Sequence, residues 1–345
     1  MGLLRHSLLG AALALSGVLS SPAQAQVAPG PTLASVRSKG VVDCAASPGT
    51  PGFGAPDSWG VHRGLDPDTC RALAAAVFGD AARVRFVPLS GPQRLPALQT
   101  GAVDVVAQNL TWSHSRDTAP GLNFAAVTFY DGQSFLVRRG SGIRGPEELA
   151  GASVCVTSGS TNELNLADWA RRAKISYSPV VFERTDEARN AYIAGRCDTF
   201  TLDASQLAAM RPGLPDPDQH EVLPQRISKE PLGVAVRQGD DQWFDIVRWT
   251  IFALIEAEEL GLTQANVDQA LRSENPAIRR LLGETGEHGA FFGLDRRWAY
   301  NAIKAVGNYG EIYDRHFGPA TPIALPRGLN DLWTRGGLMI APPVR

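Results

Sequence analysis

Short apolar runs alternate along the chain with longer segments in which apolar residues recur at helical spacing. The apolar runs predict strands at 41–44, 84–87, 102–106, 153–156, 198–202 and 230–236. The segments between them predict helices at 66–78, 92–100, 162–172, 204–210 and 243–259. Alternation of this kind is typical of parallel sheets covered by helices, so the pattern predicts an α/β fold.

The extended segment near residue 131 differs from the other predicted strands because Asp131 and Gly132 interrupt it. We interpret 130–134 as a first crossing between two lobes, and 230–236 as the crossing that returns. The predicted organisation is a signal peptide at 1–25, lobe 1 at 26–131, lobe 2 at 132–230, and a second part of lobe 1 with a C-terminal extension at 231–345.

The N-terminus has the pattern of a secretory signal peptide. Arg5 and His6 precede an uncharged, mostly apolar run at 7–19 that is too short to span a bilayer comfortably. A small-x-small cleavage pattern follows at 23–25, so we expect the mature chain to start near Gln26. Because the run is short and has no stop-transfer flank, we prefer an exported chain to one with an uncleaved anchor.

Composition narrows the classes of function. The 345 residues carry a net charge of -2, and 20% of them are charged. The sequence has neither a basic stripe nor an acidic tail, so we do not expect nucleic acid as a partner.

The four cysteines fit an exported protein, and they allow three pairings. We favour Cys44–Cys70 and Cys155–Cys197, because the sequence then has one pair in each lobe. A metal site is the alternative, but the cysteines lack C-x2-C spacing and export implies an oxidising compartment. We therefore expect disulfides, no metal and no cofactor.

The most informative stretch for chemistry is 109–116, which follows the apolar run at 102–106. Loops that leave the carboxyl ends of strands are where open α/β sheets bind ligands. Arg116 offers a rigid fork that fits a carboxylate, and Thr111 offers a hydroxyl. We expect both to grip the backbone end of a free amino acid, although a solvated surface arginine is the simpler local interpretation.

Two further features fit the same ligand. Ser160 and Thr161 form a turn that opens a helix, where unpaired backbone N–H groups bind anions. Asp203 follows a predicted strand, where its carboxylate can pair with an ammonium group. Ordinary helix capping is the commoner explanation of such a turn taken alone, and it is the preferred one for Asp66 ahead of Pro67. Asp203 could cap its helix and bind a ligand as well.

Phe53 is the one large apolar side chain of the Gly/Pro-rich loop 47–57. It is a candidate for an aromatic wall of the ligand pocket. The alternative is that it anchors the loop to the domain, and the sequence does not separate the two.

The search for catalytic motifs is negative. The sequence contains no G-x-G-x-x-G after a strand, no Walker loop, no H-E-x-x-H and no G-x-S-x-G. His114 lies in the ligand-binding stretch, but nothing local marks it as a base. The candidate site offers matched charges without an evident nucleophile, so we expect a binding protein and not an enzyme.

Several motifs resemble one family, the periplasmic amino-acid-binding proteins of ABC transporters, and within it the general L-amino-acid-binding branch. The resemblance covers essentially the whole mature chain and rests on segments at 64–70, 109–116, 163–168, 228–233, 236–243, 327–333 and 341–345. It implies the two-lobe periplasmic-binding-protein type II fold with two hinge crossings, a periplasmic location, and an inner-membrane ABC permease as the partner of a monomer.

The resemblance also implies a role for each candidate residue. Arg116 and Thr111 would hold the α-carboxylate, with the turn at 160–161 capping it from lobe 2. Asp203 and the carbonyl of Asn109 would hold the α-ammonium. Narrower-specificity relatives often place an aromatic residue where this chain has Gly91, which suggests a roomier pocket and broad recognition of L-amino acids.

Two alternatives use the same scaffold. An exported dehydratase of the cyclohexadienyl or arogenate type would need a general acid near the ligand, and Glu163 or His114 would be the candidate. A binding module that feeds a sensor would act through a separate membrane partner.

Overall fold

The computed structural model describes residues 28–118 and 121–345, so the predicted signal peptide lies outside the described residues. Within these ranges no helix has the length and apolar character needed to cross a membrane.

The strands follow the predicted pattern, and they are longer near the lobe crossings. In chain order they are β1 (Val42–Ala46), β2 (Ala55–Pro56), β3 (His62–Arg63), β4 (Val84–Pro88), β5 (Val105–Thr111), β6 (Leu122–Asp131), β7 (Gln133–Arg138), β8 (Ser153–Thr157), β9 (Ser178–Phe182), β10 (Thr199–Asp203), β11 (His220–Val222) and β12 (Glu230–Arg237).

Helices connect most of these strands. In chain order they are α1 (Pro31–Lys39), α2 (Leu65–Phe78), α3 (Arg94–Thr100), α4 (His114–Thr118), α5 (Thr161–Ala173), α6 (Thr185–Ile193), α7 (Ala204–Met210), α8 (Asp241–Glu259), α9 (Val267–Ala270), α10 (Pro276–Leu281), α11 (Trp298–Val306) and α12 (Tyr309–His316). The prediction of an α/β fold is therefore confirmed.

Lobe 1 is built on a five-stranded sheet with the order β4-β1-β5-β12-β6. The strands β4, β1 and β5 run parallel, whereas β12 pairs antiparallel with both β5 and β6. Helices α2, α8, α11 and α12 contribute to one large apolar cluster that includes buried Trp243 and Tyr313. This packing fixes the carboxyl ends of β1 and β5 at one edge of the lobe.

Lobe 2 is built on a second five-stranded sheet with the order β11-β7-β10-β8-β9. The strands β10, β8 and β9 run parallel, and β7 pairs antiparallel with β10 and β11. Tyr192 and Phe200 lie fully buried on one side of this sheet, and Phe135 lies in the cluster on the other side. The sheet therefore has its own apolar packing on both faces.

The two sheets are joined where β6 leads into β7 and where the chain returns into β12. The two connections pass very close to each other at Gly132, where an added Cβ would lie 2.6 Å from the carbonyl oxygen of Ser228. Only glycine fits there without a shift of the backbone. The exact lobe boundaries at 131/132 and 230/231 stay a prediction.

Both preferred disulfide pairings are confirmed. Cys44 on β1 is bonded to Cys70 on α2, and Cys155 on β8 is bonded to Cys197 just before β10. All four residues are at most 1% exposed. Each bond therefore joins a central strand of one lobe to a neighbouring segment of the same lobe.

The C-terminal extension packs onto lobe 1 beside the first crossing. The Asn330 side chain accepts from the backbone N–H of Tyr130 at 2.6 Å and donates to its carbonyl at 3.0 Å. Arg327 forms two hydrogen bonds, of 3.2 and 3.1 Å, with the Glu258 carboxylate on α8. The extension is thereby fastened to the sheet at the last residues before the crossing.

Candidate functional site

A cavity of about 320 Å³ lies between the two lobes. Its volume is in the range of small-molecule sites. Loops and strand ends of both lobes line it: 47–50, 89–91, Arg94, 108–109 and Thr111 from lobe 1, and 157–162, 183–186, Arg189, 202–203 and Gln206 from lobe 2.

The lobe 1 side of the cavity is organised by the end of β5. Asn109 and Thr111 lie on this strand, although the sequence suggested a loop after residue 106. Antiparallel pairing with β12 extends the strand to Thr111. Asn109 has a positive φ of 36°, an unfavourable conformation for a residue other than glycine that is often found at binding sites.

Asp66 holds this part of β5 in place. Its carboxylate accepts a 2.8 Å hydrogen bond from the backbone N–H of Asn109. The prediction that Asp66 caps its helix is wrong, because α2 is preceded by Gly64 and Asp66 lies inside its first turn. Burial raises the pKa of Asp66 to about 7, against the opposing effects of the Asn109 hydrogen bond and of Arg94.

Arg116 lies on the short helix α4, next to the cavity but not among the residues that line it. Its Nη1 donates a 3.1 Å hydrogen bond to the carbonyl of Thr111. Burial lowers the pKa of Arg116, while the carboxylates of Glu230 and Asp203 act in the opposite direction. The guanidinium is therefore half-buried in a field of negative charge.

The lobe 2 side begins with the turn before α5. The Ser160 hydroxyl donates to the carbonyl of Thr157 at 2.6 Å and accepts from the N–H of Glu163 at 3.2 Å. Ser160 is therefore the side-chain cap of α5, as the simpler interpretation held. Its hydroxyl is occupied, so what Ser160 can offer a ligand is its backbone.

Thr161 connects three parts of the molecule. Its Oγ1 lies 3.2 Å from Oγ1 of Thr111 on lobe 1. It also donates a 3.1 Å hydrogen bond to Glu230, which is 1% exposed and begins the returning strand β12. Glu230 accepts further hydrogen bonds from Ser228 and Asn165. The returning crossing, lobe 2 and lobe 1 thus meet at one hydroxyl.

Asp203 is the carboxylate of the cavity that is most removed from water, with 3% of its surface exposed. It accepts hydrogen bonds of 2.9 Å from Asn162 and 2.8 Å from Gln206, and its side chain does not cap α7. Burial raises its pKa well above the usual value, and nearby Asp131 and Glu230 raise it further. A ligand cation would relieve this accumulation of negative charge.

Asp131, at the first crossing, completes the acidic group. Its carboxylate accepts from the backbone and hydroxyl of Ser205 on α7 and from the N–H of Gly132. Burial raises its pKa to about 6, and the hydrogen bonds and Arg226 oppose that shift. The carboxylates of the two crossings, Asp131 and Glu230, therefore both raise the pKa of Asp203.

Arg94 is a cavity residue that the sequence analysis missed. It begins α3, and its Nη1 donates a 2.5 Å hydrogen bond to the carbonyl of Gln108. Burial lowers its pKa to about 9, with a further lowering by Arg116 and opposing effects of Asp203 and Asp66. The local sequence gives no sign of this position, because Arg94 begins a short helix and tertiary packing places it at the cavity.

The lobe 2 side of the cavity also carries charged residues that the sequence did not point to, including Arg184, Asp186 and Arg189. Arg184 binds both carboxylate oxygens of Asp186 at 3.0 Å, so its charge is already matched. Arg189 donates to its neighbour Asn190 and forms no ion pair within the described ranges. These residues flank the start of α6, a helix that the sequence analysis did not predict.

Phe53 does not line the cavity, and its assignment to the ligand pocket is corrected. It is fully buried in the lobe 1 core, with its ring centroid 5.0 Å from that of Phe129 and 4.9 Å from that of Phe317. The physical reason is that the loop folds back onto α2 and α12, where aromatic packing removes the ring from water. Phe53 therefore anchors the loop.

The candidate acids of an enzyme are outside the cavity as well. His114 is exposed at the start of α4. The Glu163 carboxylate accepts a 2.8 Å hydrogen bond from the N–H of Gly159. Neither residue is among those that line the cavity.

Comparison with known proteins gives concordant results. The family model described as bacterial extracellular solute-binding proteins, family 3, matches residues 42–266. The general L-amino acid-binding periplasmic protein AapJ of Rhizobium johnstonii is 51% identical over 99% of this chain and 100% of its own length. The glutamate/glutamine/aspartate/asparagine-binding protein BztA of Rhodobacter capsulatus is 46% identical over 99% of this chain and 100% of its own length.

Among solved structures, an ABC transporter periplasmic binding protein from Brucella ovis with glutathione bound is similar throughout. It is 49% identical, with a TM-score of 0.89, and the match covers 91% of this chain and 99% of that one. The predicted two-lobe fold is confirmed by this similarity. The family and these relatives are solute-binding proteins and not enzymes, so the dehydratase alternative is not favoured.

Proposed function

The chain belongs to the bacterial extracellular solute-binding proteins of family 3, and we propose that it is the periplasmic component of an ABC-type amino-acid uptake system. It binds free L-amino acids between two closing lobes and delivers them to an inner-membrane permease. The names of the AapJ and BztA relatives support this class of ligand. A cleaved signal peptide at 1–25 accounts for export.

The observation that carries the proposal is the position of Asp203. Its buried carboxylate lines the interlobe cavity, is held by two neutral side chains, and has no cation at ion-pair distance within the described ranges. A buried carboxylate of this kind is stabilised when a cation enters. An α-ammonium group, also reached by the carbonyl of Asn109, is the cation that the proposal places there.

The α-carboxylate is placed at the junction of the two lobes. Thr111 offers its backbone N–H, since its hydroxyl is engaged with Thr161, and the turn at 160–161 offers N–H groups at the start of α5. Arg116 reaches this point by leaving the carbonyl of Thr111, to which it is now bonded. Paired contacts of this type in a closed, water-excluded site favour the zwitterionic head of the ligand.

The cavity wall at Gly91 bears on how many different ligand side chains the protein accepts. A Cβ added to Gly91 would meet no other atom within 4 Å, so the wall is open at this point. The Brucella ovis relative is bound to glutathione, a ligand larger than a single amino acid. We infer that the cavity accepts side chains of different lengths once the head group is bound.

A thermal-shift screen of the mature chain against the twenty common amino acids tests the proposal. The protein is first unfolded and refolded to remove any ligand carried from the cells. Several L-amino acids should raise Tm, because a ligand at 100 times its Kd stabilises the native state by about 2.7 kcal/mol. Their D-enantiomers serve as the control. No rise with any L-amino acid, or equal rises with both enantiomers, would contradict the proposal.

A further inference from the structure

The first crossing is bonded to the start of α7, the helix that follows Asp203. The Asp131 carboxylate accepts a 3.2 Å hydrogen bond from the backbone N–H of Ser205 and another from its hydroxyl. The carbonyl of Gly132 accepts from the N–H of Ala204 at 2.9 Å. Residues of the crossing therefore hold the first turn of α7, since the Asp203 side chain does not cap this helix.

The same segment also fixes the surroundings of Asp203. The backbone of Asp203 lies opposite Gln133 in the antiparallel pair of β10 and β7. Gln133 is fully buried, and its Nε2 donates a 2.9 Å hydrogen bond to the carbonyl of Asn162, the residue whose amide donates to Asp203. The crossing thus contacts the strand that ends at Asp203, the helix that begins after it, and a residue that orients its carboxylate.

Asp131 carries a charge that its structural contacts do not require. A neutral asparagine or serine also accepts from the N–H groups of a helix start. The chain nevertheless has a carboxylate here, directly opposite Glu230 in the pair of β6 and β12. Burial raises the pKa of Asp131 to about 6, and burial, then Asp131 and Glu230, raise the pKa of Asp203. The charge on Asp131 is therefore costly in the unliganded protein.

The groups that face Asp131 balance this charge only in part. Arg226, on the returning segment, attracts it, but the Arg226 Nη1 donates to backbone carbonyls of its own loop. Tyr313, on α12, donates its hydroxyl proton to a backbone carbonyl of the C-terminal extension. Glu230 and Asp203 add further negative charge. An ammonium group at Asp203 would therefore relieve the repulsion that both carboxylates experience.

We propose that Asp131 is a positioning residue for the ligand ammonium, because it holds the start of α7 so that Asp203 and Gln206 present their polar atoms to the cavity. Asp131 also adds negative charge beside Asp203, which the ammonium relieves when it enters. Binding then expels a proton that the two carboxylates hold between them in the unliganded protein. The inference rests on the proposed function, because the ammonium must bind at Asp203.

The first test is a double-mutant cycle between Asp131 and Asp203. Titration calorimetry with L-glutamine, L-glutamate and L-alanine, extended to millimolar ligand, gives the affinities. Asp131→Ala should lower them about tenfold in the wild-type background but about twofold or less in Asp203→Asn, because residues that act through one another give non-additive losses. All three ligands should behave alike, since they share the ammonium. Equal losses in the two backgrounds would overturn the proposal.

The second test counts the protons released on binding, from the heats measured at pH 7 in buffers of different ionisation enthalpy. The wild type should release protons, because the ammonium favours the ionised form of Asp203. Asp131→Asn keeps an oxygen acceptor for Ser205 but removes a charge that raises the pKa of Asp203, so it should release fewer. A purely structural cap would leave this number unchanged, and an unchanged number would overturn the proposal even where Asp131→Ala does not fold.

Asp240→Asn is the matched control. Asp240 is also a buried carboxylate at a helix start, where it accepts from the N–H groups of Trp243 at 3.0 Å and Thr32 at 2.8 Å, but it does not line the cavity. It should leave the affinities and the proton number as in the wild type. Changes as large as those of Asp131→Asn would mean that loosening any helix start has this effect, which would overturn the proposal.

The same measurements separate this inference from the proposed function. If the wild-type chain binds none of the three amino acids, the proposed function fails and the inference fails with it. If it binds them while the Asp131 and Asp203 losses are additive and the proton number is unaltered, only the inference fails.

Discussion

The hydroxyl oxygens of Thr111 and Thr161 lie 3.2 Å apart, although the two residues belong to different lobes. Since Thr161 donates its own proton to Glu230, it accepts from Thr111. The contact therefore forms a chain of hydrogen bonds from β5 through α5 to the returning strand β12. The chain is complete in this structure and joins the two lobes beside the cavity.

Thr161→Val should weaken amino-acid binding by about 1–2 kcal/mol. The substitution keeps the shape of the side chain but removes the interlobe hydrogen bond and leaves one buried oxygen of Glu230 with one partner fewer. Calorimetry measures the loss, and small-angle scattering should show a larger radius of gyration at the same ligand concentration. Thr185→Val, also at the cavity but on α6, is the control. If Thr161→Val binds amino acids as tightly as the wild type, this chain of hydrogen bonds does not contribute to lobe closure.

Arg116→Ala should reduce affinity by about 2–5 kcal/mol, because the ligand carboxylate is left buried without its charged partner. Arg116→Lys should recover only part of this loss, since a lysine cannot form the two parallel hydrogen bonds of a guanidinium. Calorimetry with several amino acids should give similar losses for each, as the head group is common to all.

The control for Arg116 is Arg171→Ala, which removes an arginine on α5 that is largely exposed. Its affinity should match wild type. Near-unchanged binding by Arg116→Ala would mean that Arg116 keeps its present bond to the carbonyl of Thr111 in the liganded state as well.

Asp203→Asn should weaken amino acids strongly and leave the fold intact, because the asparagine can keep one of the two hydrogen bonds to Asn162 and Gln206 but cannot neutralise an ammonium. Circular dichroism and affinity are the two measurements. Asp186→Asn, at a carboxylate already paired with Arg184, is the control and should change affinity little. A variant that binds as well as wild type would place the ammonium elsewhere.

The pH dependence of binding follows from the same carboxylate. The pKa of Asp203 is raised, chiefly by burial, so Asp203 takes up a proton as the pH falls and then cannot pair with the ligand ammonium. The α-carboxyl and α-amino groups of the ligand largely keep their charges between about pH 5 and pH 7. Affinity should therefore decrease toward pH 5 in the wild type, and the decrease should be smaller in Asp203→Asn, where the neighbouring Asp131 and Asp66 still titrate. A wild-type affinity that is flat over this range would argue against the assignment.

The stability of the unliganded protein changes with pH in the direction opposite to that of ligand affinity. Because the folded-state pKa of Asp131 is raised from 3.8 to about 6, its contribution to stability is fully present below 3.8 and is lost as the pH rises through about 6. The raised pKa of Asp203 acts in the same direction. Tm of the unliganded protein should therefore fall between about pH 4 and pH 7, and the ligand-induced increase in Tm should be larger at the upper end.

Removal of the lobe 2 disulfide by Cys155→Ser with Cys197→Ser should lower the free energy of unfolding by about 2–4 kcal/mol, since the bond closes a 42-residue separation. Urea unfolding measures the change. The matched pair Cys44→Ser with Cys70→Ser in lobe 1 should give a loss of similar size. A loss below about 0.5 kcal/mol for both pairs would mean that packing alone sets the stability of the lobes.

The sequence was sufficient for elements whose apolar periodicity reflects burial. It predicted α2, α5, α8 and most strands of the two sheets because these faces pack into cores. It missed β9 because that strand is largely exposed on one face. It ended β5 too early because the pairing that extends this strand to Thr111 is with β12, more than a hundred residues away.

The candidate site was predicted in part for the same reason. Asn109, Thr111, Ser160, Thr161 and Asp203 line one cavity, since each lies near the end of a strand or at the start of a helix. Arg94 and Gln108 were missed, because an arginine in a short helix and a glutamine in an apolar strand carry no local sign of what they face. Their contribution depends on tertiary contacts, as does the burial of Phe53.

The two hydrogen bonds between Asn330 and Tyr130 attach the C-terminal extension to the backbone of β6. The family model ends at residue 266, yet residue 330 is fastened to the backbone immediately ahead of the pivot. We therefore expect the tail to restrain the backbone ahead of the first crossing when the lobes move.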